Sequence, residues 1–241
     1  MADSQTPTRR GYLSGSTLKL IAVITMLIDH IGAFILSDLP AGEIVLIATG
    51  DFTFTVYNAF RLVGRTAFPI YCFLIAEGAV HTRNRIRYGC NLLIFACISE
   101  IPWNLIHADS LLYERQNVFF TLLFGYLCIC VYDLLSDMPL PCAAAMLLVL
   151  LSGQQLQADY GIVGIAVVFL FWLLREKPVA LGVTGVCILS AKWKAIPACI
   201  LIGLYNGERG FIRGNTAKYL FYAFYPVHLL ILWYIRFRIL Q

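Results

Sequence analysis

The sequence is poor in charged side chains. Lys and Arg number 18 and Asp and Glu number 14 among 241 residues, so charged residues make up 13% of the chain and hydrophobic residues 60%. A typical soluble domain has roughly a quarter charged residues, so this chain has too few to cover a surface in water. Long basic blocks are absent as well, which argues against nucleic-acid binding. We therefore predict a single integral membrane domain over residues 1–241, with the lipid bilayer as its solvent.

Motifs for metal binding are also absent. The eight cysteines form no C-x-x-C pair, and none of the four histidines stands at a zinc-site spacing from them. We predict no metal site and interpret the cysteines as small packing residues.

Apolar segments follow one another along the chain. A spanning helix needs roughly 20 mostly apolar residues, and the sequence predicts an all-α fold, a polytopic transmembrane helical bundle of about nine spans. Five are long and four are shorter, with approximate bounds 18–36, 58–80, 88–106, 117–135, 142–152, 160–174, 178–191, 195–205 and 219–235. The second begins between residues 58 and 65. Residues 1–17 form a polar tail, and we interpret the short segment 43–50 as an interfacial or re-entrant piece.

Basic residues cluster between the predicted spans. Four clusters fall on one face of a nine-span bundle: Arg9, Arg10, Arg83, Arg85, Arg87, Arg175, Lys177, Arg209, Arg213 and Lys218. The positive-inside rule assigns that face to the cytoplasm. We predict a multi-pass protein of the plasma membrane with a cytoplasmic N-terminus, although four cations fall on the opposite face: Lys192, Lys194, Arg236 and Arg238.

The first span carries three ionisable residues, Lys19, Asp29 and His30. Such a residue in mid-membrane costs roughly 2.5–3.5 kcal/mol on insertion scales, so each is a functional candidate. Lys19 and His30 lie three helical turns apart, on nearly one face and about 16 Å apart along the axis. A cation at the membrane edge can bind a phosphate, and a deep imidazole can take a proton. Both can equally be structural, with Lys19 as a snorkelling anchor and His30 as a packing residue.

Polar residues recur in the later spans. Arg61 and Arg65 lie one turn apart, and they could bind an anion, stabilise an oxyanion or pair with an aspartate. A second deep histidine in the last span favours a shared internal site. The further buried polar candidates are Glu77, Glu100, Asn117 and His228.

Five stretches resemble the TraX family of membrane proteins. They are KLIAVITMLIDHIGA (19–33), GRTAFPIYCFLIAEGAVHTRNRIRY (64–88), ISEIPWNL (98–105), QNVFFTLLFG (116–125) and KYLFYAFYPVHLLIL (218–232). Their order and approximate spacing are preserved over nearly the whole chain. The founding role of the family is N-terminal acetylation of conjugative pilin subunits. The family also looks related to larger membrane acyltransferases that use acetyl-CoA, including enzymes that O-acetylate surface polysaccharides and one that acetylates heparan sulfate.

The resemblance implies roles for particular residues. A basic residue, ten intervening residues and a histidine mark the first helix of the O-acetylating group, as Lys19 and His30 do here. His30, oriented by Asp29 or by a neighbouring helix, would then act as general base. Arg61 or Arg65, loose counterparts of that group's arginine pair, would stabilise the oxyanion.

The resemblance also implies acetyl-CoA as the acyl donor. Its phosphates would bind at the cytoplasmic face, with coenzyme A held by Lys19, Arg83, Arg85 and Arg87. The acyl acceptor, an amine such as a pilin N-terminus or a hydroxyl of a surface glycan, is left unknown. A covalent acetyl-histidine intermediate is also left open.

Two other functions stay open. Buried ionisable residues also build proton-coupled small-molecule transporters, although no internal symmetry or matching pair of broken helices is visible. The chain could instead be a non-catalytic assembly protein of a conjugation or secretion system, with structural ion pairs. A homo-oligomer is also compatible with the sequence.

Overall fold

Helices dominate the structure, a computed structural model that describes residues 11–175, 196–212 and 214–240. These residues contain nine α-helices and one β-hairpin. Their bounds are α1 Gly15–Phe34, β1 Val45–Thr49, β2 Phe52–Thr55, α2 Val56–Gly64, α3 Ala67–His81, α4 Arg85–Ala108, α5 Val118–Leu135, α6 Pro139–Gln155, α7 Gly161–Leu173, α8 Ile196–Gly203 and α9 Asn215–Tyr234. Two short 3₁₀-helices, Leu36–Asp38 and Pro40–Glu43, lead from α1 to the hairpin, and a π-helical turn, Ile235–Ile239, follows α9.

Five helical stretches are long and apolar enough to cross a bilayer. They are Gly15–Asp38, Val56–His81, Arg85–Ala108, Val118–Leu135 and Thr216–Ile239. Two shorter apolar helices, α6 and α7, lie beside them. The predicted helical, multi-pass membrane architecture is therefore confirmed, whereas the count of about nine spans stays a prediction. The predicted segment 178–191 lies outside the described residues.

The segment after α1 departs from the all-α prediction. The segment 43–50, predicted as an interfacial or re-entrant piece, forms part of an antiparallel hairpin in which β1 pairs with β2. Strand propensity explains this outcome, because β-branched residues alternate through both strands. Gly50 takes a positive φ of 56° at the turn, a conformation that glycine adopts at little cost. Thr55 then caps α2, its side chain accepting a hydrogen bond from the Asn58 backbone N–H at 3.3 Å.

The start of α1 is fastened to the segment that follows α8. Ser16 is fully buried, donates a hydrogen bond to the Arg209 carbonyl at 2.8 Å and accepts one from the Ile212 N–H at 2.8 Å. Because α1 begins at Gly15, the predicted polar tail 1–17 ends earlier than the sequence indicated. These bonds bring the 205–212 segment against the Lys19 end of α1.

Burial follows the pattern of a protein surrounded by lipid. Ile94, Ile98 and Ile101 of α4 are half exposed, while Leu92 and Ala96 of the same helix are fully buried. An apolar outer face of this kind suits hydrocarbon, where association depends on close packing rather than on water exclusion.

Small residues permit the closest helix contacts. Gly125 of α5 lies directly against Val168 of α7. The buried cysteines, such as Cys72 and Cys128, fill core space in the same way, as predicted.

Replacing Gly125 with alanine should destabilise the bundle. A Cβ at this position would lie 2.5 Å from the Val168 Cβ, so α5 and α7 would have to separate. Overpacking of this kind costs about 1–3 kcal/mol. We expect a lower thermal unfolding midpoint for the detergent-purified variant.

Gly203→Ala provides the matched control. No atom lies within 4 Å of a Cβ built at Gly203, and alanine has the better helix propensity. Its midpoint should equal or exceed that of the unmodified protein. An unchanged midpoint for Gly125→Ala would contradict the close α5–α7 packing.

Candidate active site

Two histidines meet where the first and last helices of the bundle cross. His30 Nδ1 of α1 lies 2.7 Å from His228 Nε2 of α9, although 198 positions separate them. His228 Nδ1 lies 2.8 Å from the carbonyl oxygen of Phe224, one turn earlier in α9. His228 is only 4% exposed. The sequence-predicted shared internal site therefore includes a direct histidine–histidine contact.

The hydrogen-bond partners determine which nitrogen of each histidine ring carries a hydrogen. A carbonyl can only accept, so His228 Nδ1 carries a hydrogen and donates it to Phe224. In a neutral His228 ring, Nε2 then has the free lone pair and accepts from His30 Nδ1. A neutral His30 ring therefore presents a lone pair at Nε2, which makes no hydrogen bond with a described residue. This arrangement is that of a base whose second nitrogen is fixed by a partner.

Aromatic rings enclose the pair. The rings of His30 and His228 are nearly parallel, at 5°. Tyr225 lies with its edge towards both, 6.1 Å and 5.7 Å between ring centroids. Phe34 contacts His30 from one turn further along α1. These contacts limit the rotation of both imidazoles.

Asp29 does not orient His30. Its Oδ2 accepts a hydrogen bond of 2.6 Å from Arg61 Nη1, and its backbone oxygen accepts from the same nitrogen at 3.3 Å. Of the two predicted ways of orienting His30, the structure therefore provides the neighbouring helix, through His228. Arg61 is held by this salt bridge, in agreement with the sequence-based alternative of pairing with Asp29.

Arg65 belongs to a wider charged cluster. It is exposed and has no salt bridge with any residue that the structure describes. Its charge acts on Asp159, which lies between α6 and α7, together with the charges of Arg115 and Asp29. Burial raises the pKa of Asp159 to about 6, although the guanidinium groups of Arg115 and Arg65 oppose the rise. The Arg65 side chain is therefore available at the histidine end of the bundle.

A cavity of about 520 Å³ runs between the helices. Its deep part is lined by Met26, which lies one turn before His30, and by Tyr225. Its other walls include the aromatic rings of Tyr71, Phe119 and Tyr222. Neither histidine of the pair lines the cavity, but Tyr225 at its deep end contacts both imidazoles.

Cations line the opposite end of the cavity. Lys19, Arg209 and Lys218 all belong to its wall, and none has a salt bridge within the described part of the chain. His81 also lines this end of the cavity. Its imidazole lies 3.5 Å from the Glu77 carboxylate, so the two side chains form a pair at the mouth. Three cations thus face the mouth of an otherwise mostly apolar cavity, an arrangement suited to a ligand with an anionic head and an apolar arm.

The arginine cluster that follows the second predicted span lies outside the wall of the cavity. Arg83, Arg85 and Arg87 lie at the same end of the bundle but do not line the cavity. Arg85 forms a short salt bridge with Asp133 of α5, and Arg83 and Arg87 are exposed. Of the four predicted coenzyme-binding residues, Lys19 is the one that the cavity includes.

Glu100 and Asn117 form a pair of their own. Asn117 Nδ2 donates to Glu100 Oε2 at 2.6 Å and to the Ala96 carbonyl at 2.8 Å. The Asn117 side-chain oxygen accepts from the Phe119 N–H and caps α5. Glu100 is therefore paired by an amide, and this contact fixes the N-terminus of α5 beside the cavity.

Comparison with known protein families shows to which family this chain belongs. The family model described as TraX protein matches residues 14–236. The chain belongs to the TraX family. The probable fimbrial assembly protein FimC, serogroup H1, of Dichelobacter nodosus is 30% identical over 250 residues, which cover 91% of this chain and 94% of that protein. No solved structure matches the chain.

Three cavity residues of this TraX-family protein were not among the sequence-based site candidates. Arg209 and Lys218 had been interpreted only as topology signals, and Tyr225 stood in an aromatic stretch. The spacing of Tyr225 and His228, three residues apart in one helix, is a signal that could have found the tyrosine. No sequence signal links Arg209 to Lys19, because their proximity depends on the bonds of Ser16.

Replacing Arg61 with alanine should lower stability more than replacing Arg65. Loss of Arg61 leaves the partly buried Asp29 carboxylate without its 2.6 Å partner, and a lost charged hydrogen bond costs about 2 kcal/mol. Arg65→Ala, the matched control, removes an exposed guanidinium. Thermal unfolding of both variants in detergent gives the comparison. Equal midpoints would argue against a structural role for the Asp29–Arg61 pair.

Proposed function

We propose that this TraX-family protein is a membrane-embedded acetyltransferase that moves an acetyl group from cytoplasmic acetyl-CoA to an amine or hydroxyl acceptor. One observation carries the proposal: a single cavity runs from a cationic mouth to Tyr225, whose ring contacts both histidines of the pair. Ligand sites are commonly cavities of about 300–1,000 Å³ with few polar groups, and a cavity of about 520 Å³ fits that range.

The residues present fit the donor in two respects. Lys19, Arg209 and Lys218 at the mouth can neutralise phosphates, for which charge-assisted hydrogen bonds are strong. The walls between the mouth and Tyr225 are largely apolar and aromatic, which suits an uncharged acyl-carrying arm. Lys19 and Met26 are about 10 Å apart along α1, so the cavity extends well into the helix bundle.

His30 supplies the base. Its Nε2 lone pair takes the proton of the acceptor amine or hydroxyl as that group adds to the thioester carbon. When the carbon–sulfur bond breaks, the leaving sulfur receives the same proton from His30, so the neutral base is restored. His228, bonded to Phe224, keeps the His30 ring in place through both transfers and acts as a positioning residue.

The acceptor is a component of the cell surface in this proposal. The FimC relative bears the name of a fimbrial assembly protein, and the founding role of the TraX family is pilin N-acetylation. We therefore favour the N-terminal amine of a fimbrial or pilin subunit over a glycan hydroxyl. The exposed Arg65, at the histidine end, could receive an anionic group of that acceptor.

The name of the same relative also supports a second function, non-catalytic assembly of fimbriae. In that case the histidine pair would only join α1 to α9. The two functions differ in whether His30 is needed for chemistry, and the experiments below separate them.

Coenzyme A should bind the purified protein, and the affinity should depend on the cations at the mouth. We expect Lys19→Ala and Lys218→Ala each to weaken binding roughly tenfold, since each removes a charged partner worth about 1.5–3 kcal/mol. Isothermal titration calorimetry with coenzyme A measures this. Arg87→Ala is the matched control, because Arg87 is exposed at the same end but does not line the cavity. Equal losses in all three variants would indicate nonspecific attraction.

Acetyl transfer should require His30. A glutamine at this position can still donate to His228 but has no basic nitrogen, so His30→Gln should fold and yet lose transfer by about 100-fold or more. The assay supplies radiolabelled acetyl-CoA to inverted membrane vesicles from a deletion strain that carries the variant, and mass spectrometry identifies the labelled acceptor.

His107→Gln serves as the control for losing a histidine at the same end of the bundle. His107 bonds to the Trp103 carbonyl at 2.8 Å and makes no hydrogen bond to His30. Its transfer rate should stay within a few-fold of the unmodified protein. Full activity of folded His30→Gln would reject the proposed mechanism, and wild-type fimbriation without any transfer would favour the assembly function.

A further inference from the structure

We infer that the hydroxyl of Tyr225 is a catalytic hydrogen-bond donor that stabilises the oxyanion formed at the carbonyl oxygen of the acyl donor. The inference rests on the proposed acetyltransferase function and adds a residue that the sequence and the family resemblance did not assign. It is carried by three observations about Tyr225: its unpartnered hydroxyl, its place in the cavity wall and its contact with the histidine pair.

The hydroxyl of Tyr225 is buried without a hydrogen-bond partner. The residue is 3% exposed, and Tyr225 is the single tyrosine among the described residues whose fully enclosed oxygen has no partner. By contrast, the hydroxyl of Tyr126 donates to the Arg85 carbonyl at 2.9 Å. Folding normally satisfies a buried donor because leaving it unpaired is costly. An exception next to a ligand-sized cavity therefore points to a partner that arrives with the ligand.

The position of Tyr225 joins the cavity to the base. Its side chain lines the deep end of the cavity, and its ring meets the imidazoles of His30 and His228 edge-on. A group bound in this deep end would thus meet a phenolic donor whose ring contacts the proposed base. Oxyanion stabilisation requires such a donor, placed before the reaction and shielded from water.

The N-terminus of α5 favours donation into the cavity. Val118, the first residue of α5, lines the same cavity. Its backbone N–H can only donate, so the hydroxyl hydrogen of Tyr225 cannot be directed at it and is free for another acceptor. The positive end of the α5 dipole also favours negative charge at this place.

The arginines proposed from the sequence are less suited to this role. Arg61 is held by Asp29, and neither Arg61 nor Arg65 lines the cavity. Tyr225 is therefore the better placed oxyanion donor for a carbonyl that enters from the cationic mouth.

The step is balanced in atoms and charge. The acceptor nitrogen or oxygen bonds to the thioester carbon, its proton moves to His30 Nε2, and the π electrons of the carbonyl move to oxygen. Tyr225 donates a hydrogen bond to that oxygen and keeps its proton. When the carbonyl re-forms, the carbon–sulfur bond breaks and the thiolate takes the proton from His30.

Tyr225→Phe tests the inference, because it removes the hydroxyl and keeps the ring. We expect kcat for acetyl transfer to fall about 100-fold, the usual cost of losing one oxyanion donor. The Kd for coenzyme A and the unfolding midpoint should change little, since the hydroxyl makes no bond in the ligand-free protein. Tyr234→Phe is the matched control: Tyr234 lies in the same helix α9 but is exposed and does not line the cavity, and its kcat should stay near the wild-type value.

The possible results separate the inference from the proposed function. Wild-type kcat in Tyr225→Phe, with His30→Gln inactive, overturns the inference and leaves the acetyltransferase intact. Loss of coenzyme A binding with kcat unchanged at saturation also overturns it, because Tyr225 would then only shape the wall. A wild-type protein that binds coenzyme A but transfers no acetyl group overturns the proposed function, and the inference with it.

Discussion

The hydrogen bond between His30 and His228 joins the two ends of this chain, and the candidate site is organised around it. Inside a bilayer no water is available to satisfy a polar group, so each buried donor or acceptor needs a partner in the protein. The Phe224 carbonyl accepts a hydrogen bond from His228 and so fixes the orientation of that ring. His30 Nε2 is then the ring nitrogen of the pair that makes no hydrogen bond with a described residue. The contact between α1 and α9 therefore contains a candidate base.

The same constraint separates structural from functional polar residues. Asp29 with Arg61, Glu100 with Asn117 and Arg85 with Asp133 are paired, and their pairing accounts for their presence in an apolar bundle. Along the cavity, three cations at its mouth have no salt bridge within the described part of the chain, and the hydroxyl of Tyr225 at its deep end has no hydrogen-bond partner. This division supports a ligand that runs from a charged head to a reactive group.

Sequence reasoning identified most of the helices because hydrophobic length is a strong signal in membrane proteins. It did not predict the hairpin, since five to eight apolar residues fit a strand, an interfacial turn or a re-entrant piece equally well. It assigned donor binding to Arg83, Arg85 and Arg87 because a basic loop next to a span suits phosphate as well as topology, and this assignment stays a prediction. The cavity instead includes Arg209 and Lys218, whose position depends on how the 205–212 segment folds onto Ser16.

Composition and motif order alone determined the membrane class, the TraX relationship and the shared helix face of Lys19 and His30. These are properties of local sequence, because hydropathy and helical periodicity act over a few turns. Only the tertiary structure decided that His228, rather than Asp29, holds His30, and that Tyr225 faces the cavity with a free hydroxyl. Those contacts join residues almost 200 positions apart, and a pattern that repeats every 3.6 residues contains no information on which distant helix lies beside which.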